Sequence, residues 1–235
     1  MHDTRPRRPP ESSQTVTRTE AVSGELASML SGCTVCRIWA EQDEGPYHRD
    51  AQPVRRDVVE DRDGVPLQLG IRLVGDGTTS PCEASVEIWQ CDAFGRYSGF
   101  PPPDSSGVVT AEAAPRGEYV PDQTFLRGRQ TTDGAGMVEF HTIYPGWYPG
   151  RTVHIHLMVH TGDGVLTSQL YFPDEISDQV LARAPYADRP DRDTTNETDE
   201  IFPSGGAPAV VDIGPVGDGY RAAICLVVPT LGAAS

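Results

Sequence analysis

Short runs of alternating apolar and polar residues constrain the fold of this 235-residue chain more than any other feature. Residues 85–90 put Val86 and Ile88 on one face of an extended chain, and Glu87 and Trp89 on the other. Such runs recur, and the predicted strands are residues 65–74, 85–90, 125–132, 137–143, 152–159, 165–172, 210–213 and 222–228. With 24 Gly and 21 Pro available for turns, this pattern predicts an all-β fold, an antiparallel β-sandwich with long loops.

Two segments have helical rather than extended character. Residues 19–31 predict one short N-terminal helix that ends at Gly32, and residues 174–184 predict a second, capped by Asp174. Residues 1–18 are polar and rich in Arg, Pro, Ser and Thr, which favours disorder. We therefore expect a flexible tail with a short helix over residues 1–32 and one β-sandwich domain over residues 33–235.

Residues 99–124 form a long predicted loop with three consecutive prolines and few apolar residues. Loops of this length in compact domains are usually functional or disordered.

The charge balance excludes some classes of partner. The chain has 34 acidic and 19 basic residues and a formal net charge of −15, whereas nucleic-acid binding needs a basic surface. No apolar run is long enough to cross a membrane. The first residues include Arg5, Arg7 and Arg8 but no apolar stretch of the kind that follows in a secretory signal. We expect no nucleic-acid partner, no membrane partner and a cytoplasmic location.

The five cysteines leave several alternatives open. An odd count in a cytoplasmic setting favours free thiols. Cys33 and Cys36 have the spacing of half a zinc site, but no second Cys pair accompanies them. A disulfide that joins two of Cys36, Cys82 and Cys91 is the other alternative, and sequence does not choose the pairing.

His154-Ile155-His156 lies in a strongly β-prone run. Residues two apart on a strand point to the same face, so both imidazoles can approach one metal ion. An iron site with one carboxylate would need a nearby acid, and Asp163 lies in a Gly-Asp-Gly turn that suits this role poorly. Zinc would need a third His or Cys, and His160 is too far along the strand.

Tyrosines near these histidines suggest a different ligand set. Tyr144 and Tyr148 precede the histidine pair, and Tyr97 ends a separate segment. A free tyrosine is almost entirely protonated at pH 7, but a bound trivalent cation can deprotonate it, and phenolate oxygen suits Fe(III). The competing interpretation is that these tyrosines only pack in a sheet.

Two segments carry a family resemblance. Residues 86–97, Val-Glu-Ile-Trp-Gln-Cys-Asp-Ala-Phe-Gly-Arg-Tyr, and residues 142–156, Thr-Ile-Tyr-Pro-Gly-Trp-Tyr-Pro-Gly-Arg-Thr-Val-His-Ile-His, resemble the intradiol ring-cleaving dioxygenases of the catechol and protocatechuate type. Supporting matches are residues 44–47 and 169–172, and the matches follow in the family's order. The Trp-Tyr-Pro-Gly-Arg form looks most like a smaller actinobacterial-type branch.

The resemblance implies a role for each matched residue. It makes Tyr97 and Tyr148 phenolate ligands and His154 and His156 imidazole ligands of Fe(III), with Tyr144 as a neighbour. It makes Tyr148 and Arg151 catalytic. Substrate contacts would come from Gly45, Pro46, Arg151 and Gln169.

The implied activity is dioxygenation of a small aromatic diol. Both atoms of O₂ would enter a catechol-type substrate, and the ring would open to a muconate-type product without an organic cofactor. Two alternatives remain: a biosynthetic oxygenase or rearrangement enzyme of the same fold acting on a bulky polycyclic catechol, and a β-sandwich binding module without catalysis. Similar enzymes commonly dimerise, so a homodimer is the expected assembly.

Overall fold

The structure is a computed structural model that describes residues 21–32, 37–38, 40–50, 52–76, 82–101 and 122–229. Its helices are α1 (Gly24–Gly32) and α2 (Asp174–Leu181). Its strands are β1 (Arg37–Ile38), β2 (Pro66–Gly75), β3 (Ser85–Trp89), β4 (Arg127–Thr131), β5 (Met137–Ile143), β6 (His154–Thr161), β7 (Gly164–Tyr171), β8 (Asp212–Val216) and β9 (Gly219–Val228). Neither helix is long and apolar enough to span a membrane within the described part of the chain.

The strands form two sheets, which confirms the predicted all-β sandwich. A five-stranded sheet has the order β1-β9-β2-β5, with β8 on β9, and a four-stranded sheet has the order β4-β3-β6-β7. All pairs of the second sheet are antiparallel, as predicted. The first sheet is mixed, because β9 runs parallel to both β1 and β2. Alternation within a strand specifies its faces but not the direction of a partner that is distant in sequence.

The core lies between the two sheets and follows the predicted alternation. Leu67, Leu69 and Ile71 on β2 are fully buried and belong to the same apolar cluster as Val86 and Ile88 on β3. Full burial of such a side chain stabilises the fold by about 1.5–3 kcal/mol. The core therefore fixes which residues of β3 and β6 face outward, and these outward residues build the site described below.

Helix α1 covers the outer face of the five-stranded sheet. Leu26 and Leu30 are fully buried and pack with Met137 and Ala223. At Gly70 a Cβ would lie 2.6 Å from Leu26 Cγ, so the helix approaches the sheet more closely than a side chain would allow. The predicted N-terminal helix therefore exists and ends at Gly32, but it begins at Gly24, later than predicted; residues 1–20 lie outside the described part.

Several local predictions need correction. Asp174 does not cap α2, because Pro173 occupies the cap position, and the Asp174 carboxylate accepts from Arg192 Nη1 at 2.6 Å. Helix α2 ends at Leu181 rather than 184. The two-residue strand β1 was not predicted, because it is too short to show alternation.

The cysteine predictions are right in part. Cys82 and Cys91 are free, as expected, but Cys225 is disulfide-bonded. None of the proposed pairings among Cys36, Cys82 and Cys91 forms, because each would use Cys82 or Cys91. The half zinc site at residues 33–36 and residues 102–121 of the predicted loop lie outside the described residues.

Candidate active site

The candidate site lies on the outer face of the four-stranded sheet, opposite the main core. A second buried cluster covers this face, and its members are Tyr47, Trp89, Cys91, Tyr97, Tyr148 and Met158. Trp89 and Met158 lie on strands β3 and β6 of this sheet, and the loops around them place Tyr47, Tyr97 and Tyr148 over its outer face.

Strand β6 supplies two imidazoles to this face. His154 and His156 are two residues apart and buried, while Ile155 points into the core. His154 Nδ1 is 2.7 Å from the Thr152 carbonyl oxygen, so Nδ1–H donates to that oxygen and the Nε2 lone pair points toward the site. The His156 ring stacks on Trp89 with ring centroids 4.9 Å apart.

A tight turn after β3 places Tyr97. The Asp92 carboxylate accepts from the backbone N–H groups of Phe94 and Arg96, both at 2.9 Å. Gly95 has φ +80°, and a Cβ there would lie 2.3 Å from the Trp147 carbonyl oxygen. Only glycine fits at this position, because the turn packs directly against the backbone of Trp147 in the second family-like segment.

The segment that carries Tyr148 packs on the same turn. Gly146 N–H donates to the Asp92 carbonyl oxygen at 3.2 Å, and a Cβ at Gly146 would lie 2.4 Å from that oxygen. Tyr144 points elsewhere, because its hydroxyl hydrogen-bonds Ser177 Oγ at 2.8 Å. Tyr148, four residues later, turns back over the histidines.

Four polar atoms meet above β6. His154 Nε2 is 3.4 Å from the Tyr97 hydroxyl, 3.3 Å from the Tyr148 hydroxyl and 3.2 Å from His156 Nε2. The structure thus brings together the four side chains predicted as ligands, which come from two separate stretches of sequence.

Burial disfavours the charged forms of these tyrosine and histidine side chains unless a cation is bound among them. Burial lowers the pKa of His154 to about 3 and that of His156 well below its usual value, so both imidazoles are neutral. Burial also raises the pKa of Tyr148 to about 12 and that of Tyr97 well above its ordinary value. Neutral imidazole nitrogens are the form that binds a metal, and a metal ion would supply the positive charge that phenolates need.

The donor set fits a metal ion that prefers nitrogen and hard oxygen ligands. Atoms 3.2–3.4 Å apart can share one first-row transition metal at bond lengths of about 2 Å. The described residues contain no group of three His, Cys, Asp or Glu side chains placed to hold a metal, as an iron site with a carboxylate or a zinc site would need. His160 instead lies 3.2 Å from Glu87, far down the strand from the histidine pair.

Arg151 lies beside the cluster and is held from two sides. Its Nε donates to Asp199 Oδ2 at 2.9 Å, and its Nη2 donates to Gln169 Oε1 at 2.6 Å. Burial tends to lower the pKa of Arg151, but Tyr148 and Asp199 raise it, with the net result above its ordinary value. The guanidinium is therefore a fixed positive charge next to Tyr148.

A cavity of about 520 Å³ opens onto the cluster. Gly45, Pro46, Tyr148 and Arg151 are among the residues that line it. Gly45 has φ +70°, and a Cβ there would lie 3.2 Å from His156 Cε1, so this segment closes over the histidine ring. Gly45, Pro46 and Arg151 therefore line one cavity, and their contact with a substrate stays a prediction.

Gln169 lies behind Arg151, and its predicted contact with a substrate stays a prediction. It is fully buried, and the cavity's described lining does not include it. Its amide accepts from Arg151 and from the Tyr171 hydroxyl, and its Nε2 donates to the Asp43 carbonyl oxygen at 3.1 Å. Gln169 therefore orients Arg151 and anchors the segment that lines the cavity.

Sequence reasoning missed three supporting residues. Trp89 stacks on His156, and Tyr47 stacks on Tyr97 with ring centroids 4.0 Å apart. Asp199 holds Arg151 and also accepts from the Thr152 N–H at 2.8 Å. Trp89 and Tyr47 lie inside the family-like segments, which was a usable signal, whereas Asp199 lies in an acidic loop that offers none.

Comparison with known proteins gives one curated relative and several structural neighbours. No protein-family profile matches the chain. The protocatechuate 3,4-dioxygenase beta chain of Burkholderia cepacia is 32% identical over 163 residues, which is 63% of this chain. The match spans 60% of that relative's length.

Solved structures extend the similarity to nearly the whole described fold. The dioxygenase domain of a dioxygenase and carbohydrate-binding protein fusion from Streptomyces sp. SirexAA-E is 26% identical with a TM-score of 0.58, covering 82% of this chain and 99% of that one. An intradiol ring-cleavage dioxygenase from Tetranychus urticae is 33% identical with a TM-score of 0.73, covering 85% of this chain and 98% of that one.

Proposed function

The chain belongs to the intradiol ring-cleavage dioxygenase family, and from this premise we propose that it is an Fe(III)-dependent intradiol dioxygenase of a catechol-type substrate. Both atoms of O₂ would enter the product, and the ring would open between the two hydroxyl-bearing carbons to a muconate-type diacid. The observation that carries the proposal is that two phenol oxygens and the His156 Nε2 all lie within 3.2–3.4 Å of His154 Nε2, beside a cavity.

Under this proposal Tyr97, Tyr148, His154 and His156 hold the iron. When bound, ferric iron draws electron density from the phenolates and the diol and makes the aromatic ring reactive toward O₂. The two histidines are fixed by β6, and stacking on Tyr47 fixes Tyr97. Tyr148 is 5% exposed and lies in the cavity wall, so it is the ligand side chain that an entering substrate meets.

Tyr148 would act as the general base for the substrate. Its hydroxyl oxygen would accept a proton from one diol hydroxyl as the substrate takes its place. Burial raises the pKa of Tyr148 to about 12, so its phenol form is favoured whenever no cation is bound to the oxygen.

Arg151 would stabilise negative charge on the reacting diol. A guanidinium is always protonated, and its electrostatic effect is strong in a site with little water. Asp199 and Gln169 keep it in place, so no reorganisation is needed during the reaction.

Neither alternative has comparable support. No feature of the described residues favours a biosynthetic oxygenase or rearrangement enzyme for a bulky polycyclic catechol. A non-catalytic binding module would have no need to retain all four converging donors and the fixed arginine.

Oxygen uptake with a catechol panel tests the proposal. Iron-loaded protein should consume one O₂ per diol, and ¹⁸O₂ should place both labelled atoms in the product. Incorporation of one labelled atom or none would contradict dioxygenation, and uptake with a fused-ring diol alone would favour the biosynthetic alternative.

A further inference from the structure

We propose that this site selects catechols with a neutral or cationic ring substituent against catechols with a carboxylate substituent. The inference rests on the proposed function, because it concerns the substrate of the same site. It follows from the charges around the cavity, from the way Arg151 is bonded and from the charge of the whole chain.

The cavity wall has two carboxylates among its described residues. Asp43 lies on the segment before Gly45, and Glu200 lies on the segment that follows Asp199. The Asp43 carboxylate accepts from the Gly45 N–H at 2.6 Å, so it is held at the edge of the cavity. Apart from Arg151, the other described lining residues are uncharged, Pro46 and Ile201 among them.

The one basic residue in the described lining is already bonded. Arg151 forms an ion pair with Asp199 at 2.9 Å, and a further N–H donates to Gln169 at 2.6 Å. Recognition of a substrate carboxylate typically uses a bidentate arginine whose donors are free. Here Asp199 and Gln169 hold the Arg151 guanidinium through two of its five N–H donors, Asp199 offsets its charge, and Asp43 and Glu200 would repel a second anionic group.

The whole molecule acts in the same direction. A formal net charge of −15 gives a negative surface potential, which slows the approach of anions and favours cations. The Asp43 and Glu200 side chains are exposed, so salt should weaken their repulsion of an anionic substrate. The same field would help expel the ring-opened diacid, which carries two carboxylates at neutral pH.

A matched trio of substrates tests the proposal. These are 3,4-dihydroxyphenylacetate, its neutral amide and the cationic 3,4-dihydroxyphenethylamine, in which methylene groups separate the charge from the ring. At low salt kcat/KM should be about tenfold or more higher for the amide than for the acid. The cationic amine should equal or exceed the amide. In 0.5 M salt these ratios should shrink severalfold.

Anaerobic calorimetry of binding gives a readout independent of turnover. The dissociation constants should rank in the same order as kcat/KM. The double variant Asp43→Asn with Glu200→Gln should narrow the gap between acid and amide. Glu83→Gln is the control. Glu83 is exposed and lies just before β3, outside the described lining of the cavity, so this variant should leave the difference between acid and amide unchanged.

The possible failures are distinguishable. Equal or better turnover of the acid, or a gap that neither salt nor the double variant changes, would overturn the charge selection while leaving ring cleavage intact. Absence of oxygen uptake with every diol, together with the expected ranking of dissociation constants, would overturn the proposed function and leave the selectivity of the cavity standing.

Discussion

Arg127 shows how a single buried residue can organise the site without touching the four converging atoms. It is 1% exposed, and its guanidinium donates to the Tyr47 carbonyl oxygen at 2.7 Å and to Ser98 Oγ at 2.7 Å. Burial lowers the pKa of Arg127 to about 9. Arg127 therefore joins the Tyr47 backbone to Ser98, the residue after Tyr97. This holds the Tyr47 ring in its stack on Tyr97.

Arg127→Lys should loosen this arrangement, because an ammonium cannot reproduce the fork of donors. We expect the free energy of unfolding to fall by about 1–3 kcal/mol and iron content to fall with it. Arg129→Lys is the matched control on β4, since its side chain is 40% exposed, and it should cost under about 1 kcal/mol. Equal losses in the two variants, measured by denaturant titration, would contradict the assigned role.

Tyr148 differs from Tyr144 in what its hydroxyl contacts, although both are buried in one segment. Tyr148→Phe should retain iron on the three remaining donors but lose most turnover, about 10²-fold or more, because the proposed base is gone. Tyr144→Phe removes only a hydrogen bond to Ser177 and should keep turnover. Iron analysis with steady-state kinetics checks both, and undiminished turnover in Tyr148→Phe would remove this residue from the mechanism.

At the scale of elements, α1 is attached to the five-stranded sheet by a buried carboxylate of the sheet as well as by leucines. Glu139 on β5 is 1% exposed, and it accepts from the Ser23 N–H at 2.7 Å, directly before the first turn of α1. Burial alone would raise the pKa of Glu139, but Ser23, His141 and Arg56 hold it below its usual value. An ionised Glu139 therefore stabilises the docked helix.

The pH dependence of this contact has a definite sign. A lowered pKa in the folded state gives stability above the unfolded pKa of about 4.3, which is lost as pH falls through the lower folded value. Glu139→Gln should thus cost about 1–3 kcal/mol of unfolding free energy at pH 7 and much less near pH 3. Glu83→Gln, an exposed control, should show no such difference. A cost for Glu139→Gln that is equal at both pH values would contradict this account.

Elements were predictable from sequence where alternation was strong. Strand β5 was predicted with its exact bounds, and β2 was displaced by one residue. The parallel pairing of β2 with β9 was not predicted, because these strands are separated by more than half of the chain and alternation does not encode direction. In the site, His154 and His156 follow from strand geometry, and the tyrosines came from the resemblance. Asp199 had no local signal, since its partners Arg151 and Thr152 are distant in sequence.

At the scale of the whole molecule, the Cys225 disulfide bears on the environment of the protein. Cys225 lies on the buried strand β9, and disulfides are rare in the cytosol. The cytoplasmic location stays a prediction, and this bond favours an oxidising compartment over it. The homodimer and the division at residue 32 also stay predictions.

Reduction tests the contribution of this disulfide. A phosphine reductant should lower the Tm of the protein by several degrees, because a native disulfide contributes about 2–5 kcal/mol. In Cys225→Ser the same reductant should no longer change the Tm, whereas Cys82→Ser should behave like the parent. A parent Tm that is unchanged after complete reduction would show that the bond carries no stability.

The visible absorption spectrum of the purified, iron-quantified protein tests the central claim most directly. Phenolate oxygens from Tyr97 and Tyr148 on a ferric ion should make the protein red to purple through charge transfer from ligand to metal, with one iron per chain. A colourless protein with stoichiometric ferric iron would mean that neither tyrosine binds the metal, and the proposed ligand set would be wrong.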